Sequence, residues 1–416
     1  MGLLDLPPEI FERIITHYVD ARGIRRAWRR RDVCRTFHDH INTEVLGRQP
    51  ASAYLSRSDS LFVRNILSSF LEYRSFALYG AHDVLPTHTN KIVNIFVSVA
   101  GDTSPKQHLV WIRRVSEALV RSYTIPNACK LAYKPNDKDR SNLALSSGQQ
   151  EAFNIAIIMG EKDVVSAHAA EQGVSMWAKK AAGLNLGHPL ELATRRGNLD
   201  MVEILLAHAQ RSTVIKDMKQ QTSTVVKSIG HALQGNEPIA LAVLDWYLSN
   251  VKRSDAWQRL DWFREACRSG MTRFLTRLIE GVTPFLSDLL RTGFLQIANP
   301  DCDRSVRILP RKVQHFDALI LCFLDVGLFD RSNINSCERN SSMFGGNPDG
   351  LLDVAVRSGI LDVIQRVLDA GAHADGILSG AREMSYPLRE AVQRKRFDVV
   401  KLLVEYDADP HSDLGA

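Results

Sequence analysis

Two stretches near the C-terminus repeat one another. "GLLDVAVRSGILDVIQRVLDAGAHAD" and "YPLREAVQRKRFDVVKLLVEYDADPH", set in register on Leu352 and Leu388, pair Ala355 with Ala391, Asp362 with Asp398, Val363 with Val399, and Leu368 with Val404, at a period of 36 residues. A third stretch, "HPLELATRRGNLDMVEILLAHAQ", follows the pattern through Pro189, Leu190, Ala193, Gly197, Asp200, Val202 and Leu205. Self-similarity at this period constrains the fold strongly, because it implies supersecondary units stacked in a row rather than one closed core.

Each copy reads as a helix, a tight turn and a second helix. A small residue is needed where the first helix is crossed closely, the place of Ala193, Ala355 and Ala391. Gly197 and Gly359 stand where a helix end takes a left-handed residue free of a Cβ penalty. In the second helices, "DMVEILL", "DVIQRVL" and "DVVKLLV" put apolar side chains at i, i+3 and i+4. That stripe must be buried against a neighbour, and only stacked copies can supply one.

The pattern resembles the ankyrin repeat family, whose repeat opens Thr-Pro-Leu-His-x-Ala before a helix pair. His188-Pro189-Leu190-Glu191-Leu192-Ala193 and Tyr386-Pro387-Leu388-Arg389-Glu390-Ala391 carry the resemblance best. Degenerate copies offer Ala156, Gly160 and Asp163; Ala232; and Ala266 and Gly270. "FDALILCFLDVG", from Phe316, reads as another second helix, with its first helix near Ala298 and an insertion over 299–314. The resemblance implies about seven units over residues 150–416, best at 188–210, 350–376 and 385–411. Pro189, Leu190, Ala193, Gly197, Ala355, Gly359, Pro387, Leu388 and Ala391 would be its structural residues. Arg195, Arg268 and Arg357, two places after the alanine, read as solvated helix ends. The insertion is where specificity is expected, and the polar loop "RSNINSCERNSSMFGGNPDG" reads as mobile.

The N-terminus carries a different pattern. In "LDLPPEIFERIITHYVDARG", Asp5 can cap a helix, Pro7 and Pro8 suit its first turn, and Ile10, Phe11, Ile14, Ile15, Tyr18 and Val19 form an apolar face ending at Gly23. "IRRAWRRRD" follows, with Ile24, Ala27 and Trp28 on one side and five arginines elsewhere; then Val33, Phe37, Ile41 and Val45 recur every four residues. Three short amphipathic helices cannot hide this apolar surface among themselves. The segment 1–48 resembles the F-box, through Leu6-Pro7-Pro8-Glu9-Ile10, Ile14-Ile15 and Val33-Cys34-Arg35-x-Phe37. That resemblance implies docking on the Skp-type adaptor of a cullin–RING ubiquitin ligase through Leu6, Pro7, Ile10, Ile14 and Val33. "RRAWRRR" departs from the Leu-rich second helix of many F-boxes.

Residues 49–149 show helical periodicity in "DSLFVRNILSSFLEY" and "QHLVWIRRVSEALVRSY", a short apolar run "NKIVNIFVSVAGD", and a linker near 134–149. Helices packing onto the first repeat are expected there. The fold expected is all-α: an F-box-like three-helix module, a helical middle segment and an ankyrin-type α-solenoid.

Charge and chemistry narrow the function. The net charge is +5, and residues 1–50 hold nine arginines against seven acidic residues, too balanced for a phosphate-neutralising nucleic-acid binder. Six cysteines without paired spacing suit a reducing compartment, and no window is apolar enough for a membrane helix. The "MGLLDLPPEI" start has no secretory character, so a cytoplasmic or nuclear location is expected. Phosphate loops, His-Glu-x-x-His and nucleophile elbows are missing. Cys302, His315, Cys322 and Cys337 lack the paired spacing of a zinc site, and Cys34 with His38 on one helix face has no third group to complete a catalytic set. No enzyme, metal or cofactor is expected. The chain reads as a substrate-recruiting subunit of a cullin–RING ligase, with the target protein on the array, or as an ankyrin scaffold without a ligase role.

Overall fold

The computed structural model describes residues 3–54, 60–75, 84–122, 148–169, 186–211, 218–251, 256–280, 283–298, 316–335, 350–376 and 386–411. Every regular element among them is helical, so the chain is all-α as expected. The insertion 299–314, nearly all of the linker 134–149 and most of the polar loop lie outside the described residues. Two compact units divide the chain, Met1–Thr224 and Val225–Ala416.

The first unit opens with α1 (Pro8–Arg22), α2 (Ile24–Arg29) and α3 (Arg35–Asn42). Asp5, expected to cap α1, lies in a separate turn, Leu3–Asp5. Pro7 takes the cap position, its carbonyl accepting the amides of Ile10 and Phe11 at 3.0 Å each. Proline needs no amide partner there and its fixed φ suits a helix start. Gly23, at φ 78, closes α1. Phe11, Ile15 and Val19 recur one turn apart and are buried, as are Ile24, Ala27 and Ile41 on the two helices that pack against α1.

The stripe read from Val33 to Val45 is broken. Val33 belongs to a single turn, Arg31–Val33, and Cys34 is extended at φ −159, so α3 begins only at Arg35. After α3 the chain widens into a π-helical turn, Thr43–Arg48, which buries Glu44, Val45 and Leu46. Thr16 donates to the Glu44 carboxylate at 2.9 Å and Gln49 Nε2 at 2.8 Å. A buried charge is tolerated when its oxygens are filled in this way.

Three longer helices follow, α4 (Ser60–Arg74), α5 (Val84–Ala100) and α6 (Pro105–Ser122). α4 packs on the π-helical turn, and Arg74 donates from Nε to Leu46 O at 3.0 Å and from Nη2 to Gln49 O at 3.1 Å. α5 and α6 pack on α7 (Gln149–Met159), the first helix of a pair with α8 (Lys162–Ala169). Arg114 pairs with Glu161 across this contact. The middle segment thus covers the first pair, as the sequence led one to expect.

His88 of α5 is buried with both ring nitrogens unpartnered among the described residues. Burial pulls its imidazole below the ordinary 6.5, Glu151 of α7 pulls it up, and Lys91 adds to the lowering. The unfolded chain therefore takes the proton first, so this contribution to stability is complete above about pH 6.5 and lost as pH falls below it. The melting midpoint of the first unit is expected to drop between about pH 7 and about pH 5, and less so in His88→Gln. Equal slopes in calorimetry would remove His88 as the source.

A second pair, α9 (Pro189–Arg195) and α10 (Leu199–Arg211), stacks helix for helix on α7 and α8. Five further pairs follow: α11 (Met218–Ala232) with α12 (Glu237–Asn250), α13 (Ala256–Ser269) with α14 (Thr272–Ile279), α15 (Pro284–Ala298) with α16 (Phe316–Asp325), α17 (Leu351–Ser358) with α18 (Leu361–Asp369), and α19 (Pro387–Gln393) with α20 (Phe397–Glu405). In the second unit α13, α15, α17 and α19 pack in succession, and so do α12, α14, α16, α18 and α20.

One turn recurs in these pairs. The carbonyls of Ala156, Ala193, Ala266 and Ala391 accept the amides of Glu161, Asn198, Met271 and Arg396, each five residues on, at 2.9 to 3.3 Å. This is the bond that closes a helix through a left-handed residue. Gly197 and Gly270 hold that residue at φ 68 each, while Gly359, at φ 70, closes α17 by donating to Ala355 O and Val356 O. Lys395 holds it at φ 57 in the last pair, against the Cβ penalty. α15 departs from the alanine rule. Its close-crossing residue is Gly293, where a Cβ would come within 2.5 Å of Leu260 Cδ1 on α13.

Candidate protein-docking surfaces

The five residues singled out for adaptor docking fall on or before α1 and just after α2. α1 has an apolar face too wide to be buried by two short partners. Phe11, Ile15 and Val19 turn inward, whereas Ile10 and Ile14, one turn apart on the flank, are 44% and 37% exposed. Leu6 is half-buried, Pro7 exposed, and Val33 is 68% exposed in the turn after α2. Leu3 and Leu4 are exposed as well. Covering the open parts of Ile10, Ile14 and Val33 would supply on the order of 3 kcal/mol.

The second helix of the module is strongly basic. Arg25, Arg26, Arg29 and Arg30 are all exposed, while Ile24 and Ala27 hold α2 to the module core. Arg31 behaves differently. Its guanidinium lies 3.9 Å from the Trp28 ring centre, donates to Trp28 O at 3.2 Å and approaches Asp32 at 3.6 Å. Behind the surface, Glu44, Gln49 and Arg74 fix the π-helical turn. No sequence signal marked these three, because an isolated polar or charged residue normally reads as solvated.

Within the helix pairs, the repeat residues form scaffold rather than surface. Pro189, Leu190, Ala193, Ala355, Pro387 and Ala391 are buried, Leu388 is half-buried, and Gly197 and Gly359 make turns. Between successive second helices runs a series of polar rungs. Lys162 pairs with Asp200, Arg277 with Asp245 at 2.5 Å, and Arg366 with Asp325 at 2.7 Å, and the Tyr406 hydroxyl donates to Asp369 at 2.5 Å. That bond holds the Tyr406 phenol protonated, above its usual range. Arg195 and Arg268 pair with Glu191 and Glu265 on their own helices, the solvated helix-end arrangement, whereas Arg357 is half-buried.

The described side chains gather no group of three or more metal-ligating residues. Cys302, His315 and Cys337 lie outside the described residues. Burial pushes the Cys267 thiol well up and the Cys322 thiol up, the reverse of what activates a nucleophile. Cys34 is half-buried at the start of α3, while the His38 ring turns to Asp39 at 3.4 Å and Asn42 at 3.2 Å. No helix among the described residues is long and apolar enough to cross a membrane. What these surfaces offer chemically is recognition: apolar area, cations and a stack of short connections. Compared with protein-family models, with curated proteins and with solved structures, the chain matches none.

Proposed function

We propose that the chain is a non-catalytic, substrate-recruiting subunit of a cullin–RING ubiquitin ligase. Its N-terminal module docks a Skp-type adaptor, and its ankyrin-like helix pairs hold the protein to be modified. The observation that carries this reading is the exposure of Ile10, Ile14 and Val33 beside a module core of Phe11, Ile15, Val19, Ile24, Ala27 and Ile41 that is buried. Exposed branched side chains on a helix flank cost nothing once a partner covers them, and a few such anchors dominate most protein interfaces. The mechanism is proximity: a tethered target sees the ubiquitin-charged enzyme at an effective concentration in roughly the millimolar range.

The test is Ile10→Asp with Ile14→Asp in the full chain. Both positions are exposed, so the melting temperature should hold within about 2 °C while adaptor co-purification is lost. Undiminished co-purification would overturn the reading. A scaffold without a ligase role is favoured by a different observation. Arg74 and the π-helical turn fasten the module to α4, as would suit helices that serve only to close one end of the array.

A further inference from the structure

Several exposed charged side chains on the helices are matched. Arg195, Arg268 and Arg394 pair with Glu191, Glu265 and Glu390 within one turn, Lys401 with Glu405, and Arg277 and Arg366 with aspartates of the preceding helix pair. α2 is different. Arg25, Arg26, Arg29 and Arg30 are exposed and make no ion pair or hydrogen bond with any described residue. Arg25 and Arg29 stand one turn apart, and so do Arg26 and Arg30, a spacing at which like charges repel by about 0.2–0.5 kcal/mol per pair. Asp32, three residues from Arg29, is engaged by Arg31. The module therefore carries concentrated positive charge that its own acidic residues do not neutralise.

The module exposes apolar groups as well. Val33 is three residues beyond Arg30, and α2 follows α1 directly and packs on it. We infer that Arg25, Arg26, Arg29 and Arg30, with Ile10, Ile14 and Val33, form a basic-rimmed apolar docking face whose occupant is a protein surface acidic around an apolar pocket. This deepens the adaptor reading and rests on it. Complementary charge at a rim chiefly raises the rate of encounter, whereas the apolar anchors hold the complex once formed. A nucleic acid fits less well. It offers no pocket for Ile10 and Ile14, and the first fifty residues carry nine arginines against seven acids.

The experiment measures association of the full chain with a purified Skp-type adaptor at about 50 mM and about 300 mM salt. It compares the parent chain, Arg25→Gln/Arg26→Gln/Arg29→Gln/Arg30→Gln, and Ile10→Asp/Ile14→Asp, with circular dichroism as the folding control. The expected result is a roughly tenfold or greater fall in the association rate for the arginine variant at low salt, with a flattened salt dependence and a dissociation rate nearly unchanged. The isoleucine variant should lose binding at both salts. If the arginine variant associates as fast as the parent chain, the inference fails while the adaptor reading stands. Should the parent chain not bind the adaptor at all, the adaptor reading fails and takes the inference with it. A parallel arm uses a DNA duplex of about 20 base pairs. Tight, salt-steep binding lost only in the arginine variant would overturn the inference in favour of nucleic acid.

Discussion

Phe323→Ala is expected to destabilise the second unit by about 3–5 kcal/mol. Phe323 sits on α16, fully buried where a second helix meets the first helices of two pairs. Its ring stacks on Phe263 of α13 at 5.4 Å and takes the edge of Phe294 of α15 at 4.8 Å, and Phe294 in turn reaches Phe329 at 6.2 Å. Truncation loses the transfer energy of the ring and leaves a void that three helices from successive pairs would have to close together. They are held apart by their own crossings, among them the tight one at Gly293, so collapse is limited. Denaturant titration of the full chain, with hydrogen exchange to locate the change, should show the loss in α13 to α18. A cost below about 1.5 kcal/mol would mean that the cluster repacks freely, and Phe323→Leu provides the volume-conserving comparison.

Arg74→Met is expected to cost about 2–4 kcal/mol and to loosen the N-terminal module first. Methionine keeps much of the packing of the side-chain stem against Phe70, over whose ring the guanidinium carbon lies at 5.4 Å. It cannot replace the donors to Leu46 O and Gln49 O, and both carbonyls would be left buried without that partner. The Thr43–Arg48 turn lacks the ordinary helical bond pattern, so it depends more than a regular helix does on bonds from outside. Limited proteolysis is the natural readout. New cleavage between α3 and α4 in Arg74→Met, absent in the parent chain, is the expected pattern. An unchanged cleavage map with an unchanged melting point would show that the turn stands by itself.

What could be read from the sequence, and what could not, follows one physical division. The alanines at 193, 355 and 391 were legible because close helix crossing admits few residue types, and repetition made the position visible three times. Gly293 fills the corresponding role with a smaller residue, which hid the start of its helix and left only Ala298 as a landmark. In sequence α5 shows only a short apolar run, yet it spans seventeen residues from Val84. His88 and Thr89 are buried on its inner face, and polar residues at buried positions erase the periodicity on which such readings depend. Of the docking residues, the sequence grouped Val33 with a buried stripe and with the docking set at once. The extended Cys34 separates Val33 from α3 and leaves it outside. Arg74 joins residues far apart in sequence through the backbone carbonyls of Leu46 and Gln49, which no side-chain pattern encodes.

The neighbour-to-neighbour packing of the second unit also has a mechanical consequence. Each helix pair there adheres mainly to the pairs beside it, through rungs such as Arg366 to Asp325 and Tyr406 to Asp369. A pull applied at the C-terminal end would load these rungs one after another rather than all at once. α19 and α20 would peel away first, and each period of 36 residues released would add roughly 120 Å of slack chain. Tension would then be relieved by lengthening in steps, so the unit would behave as an extensible tether rather than a rigid strut.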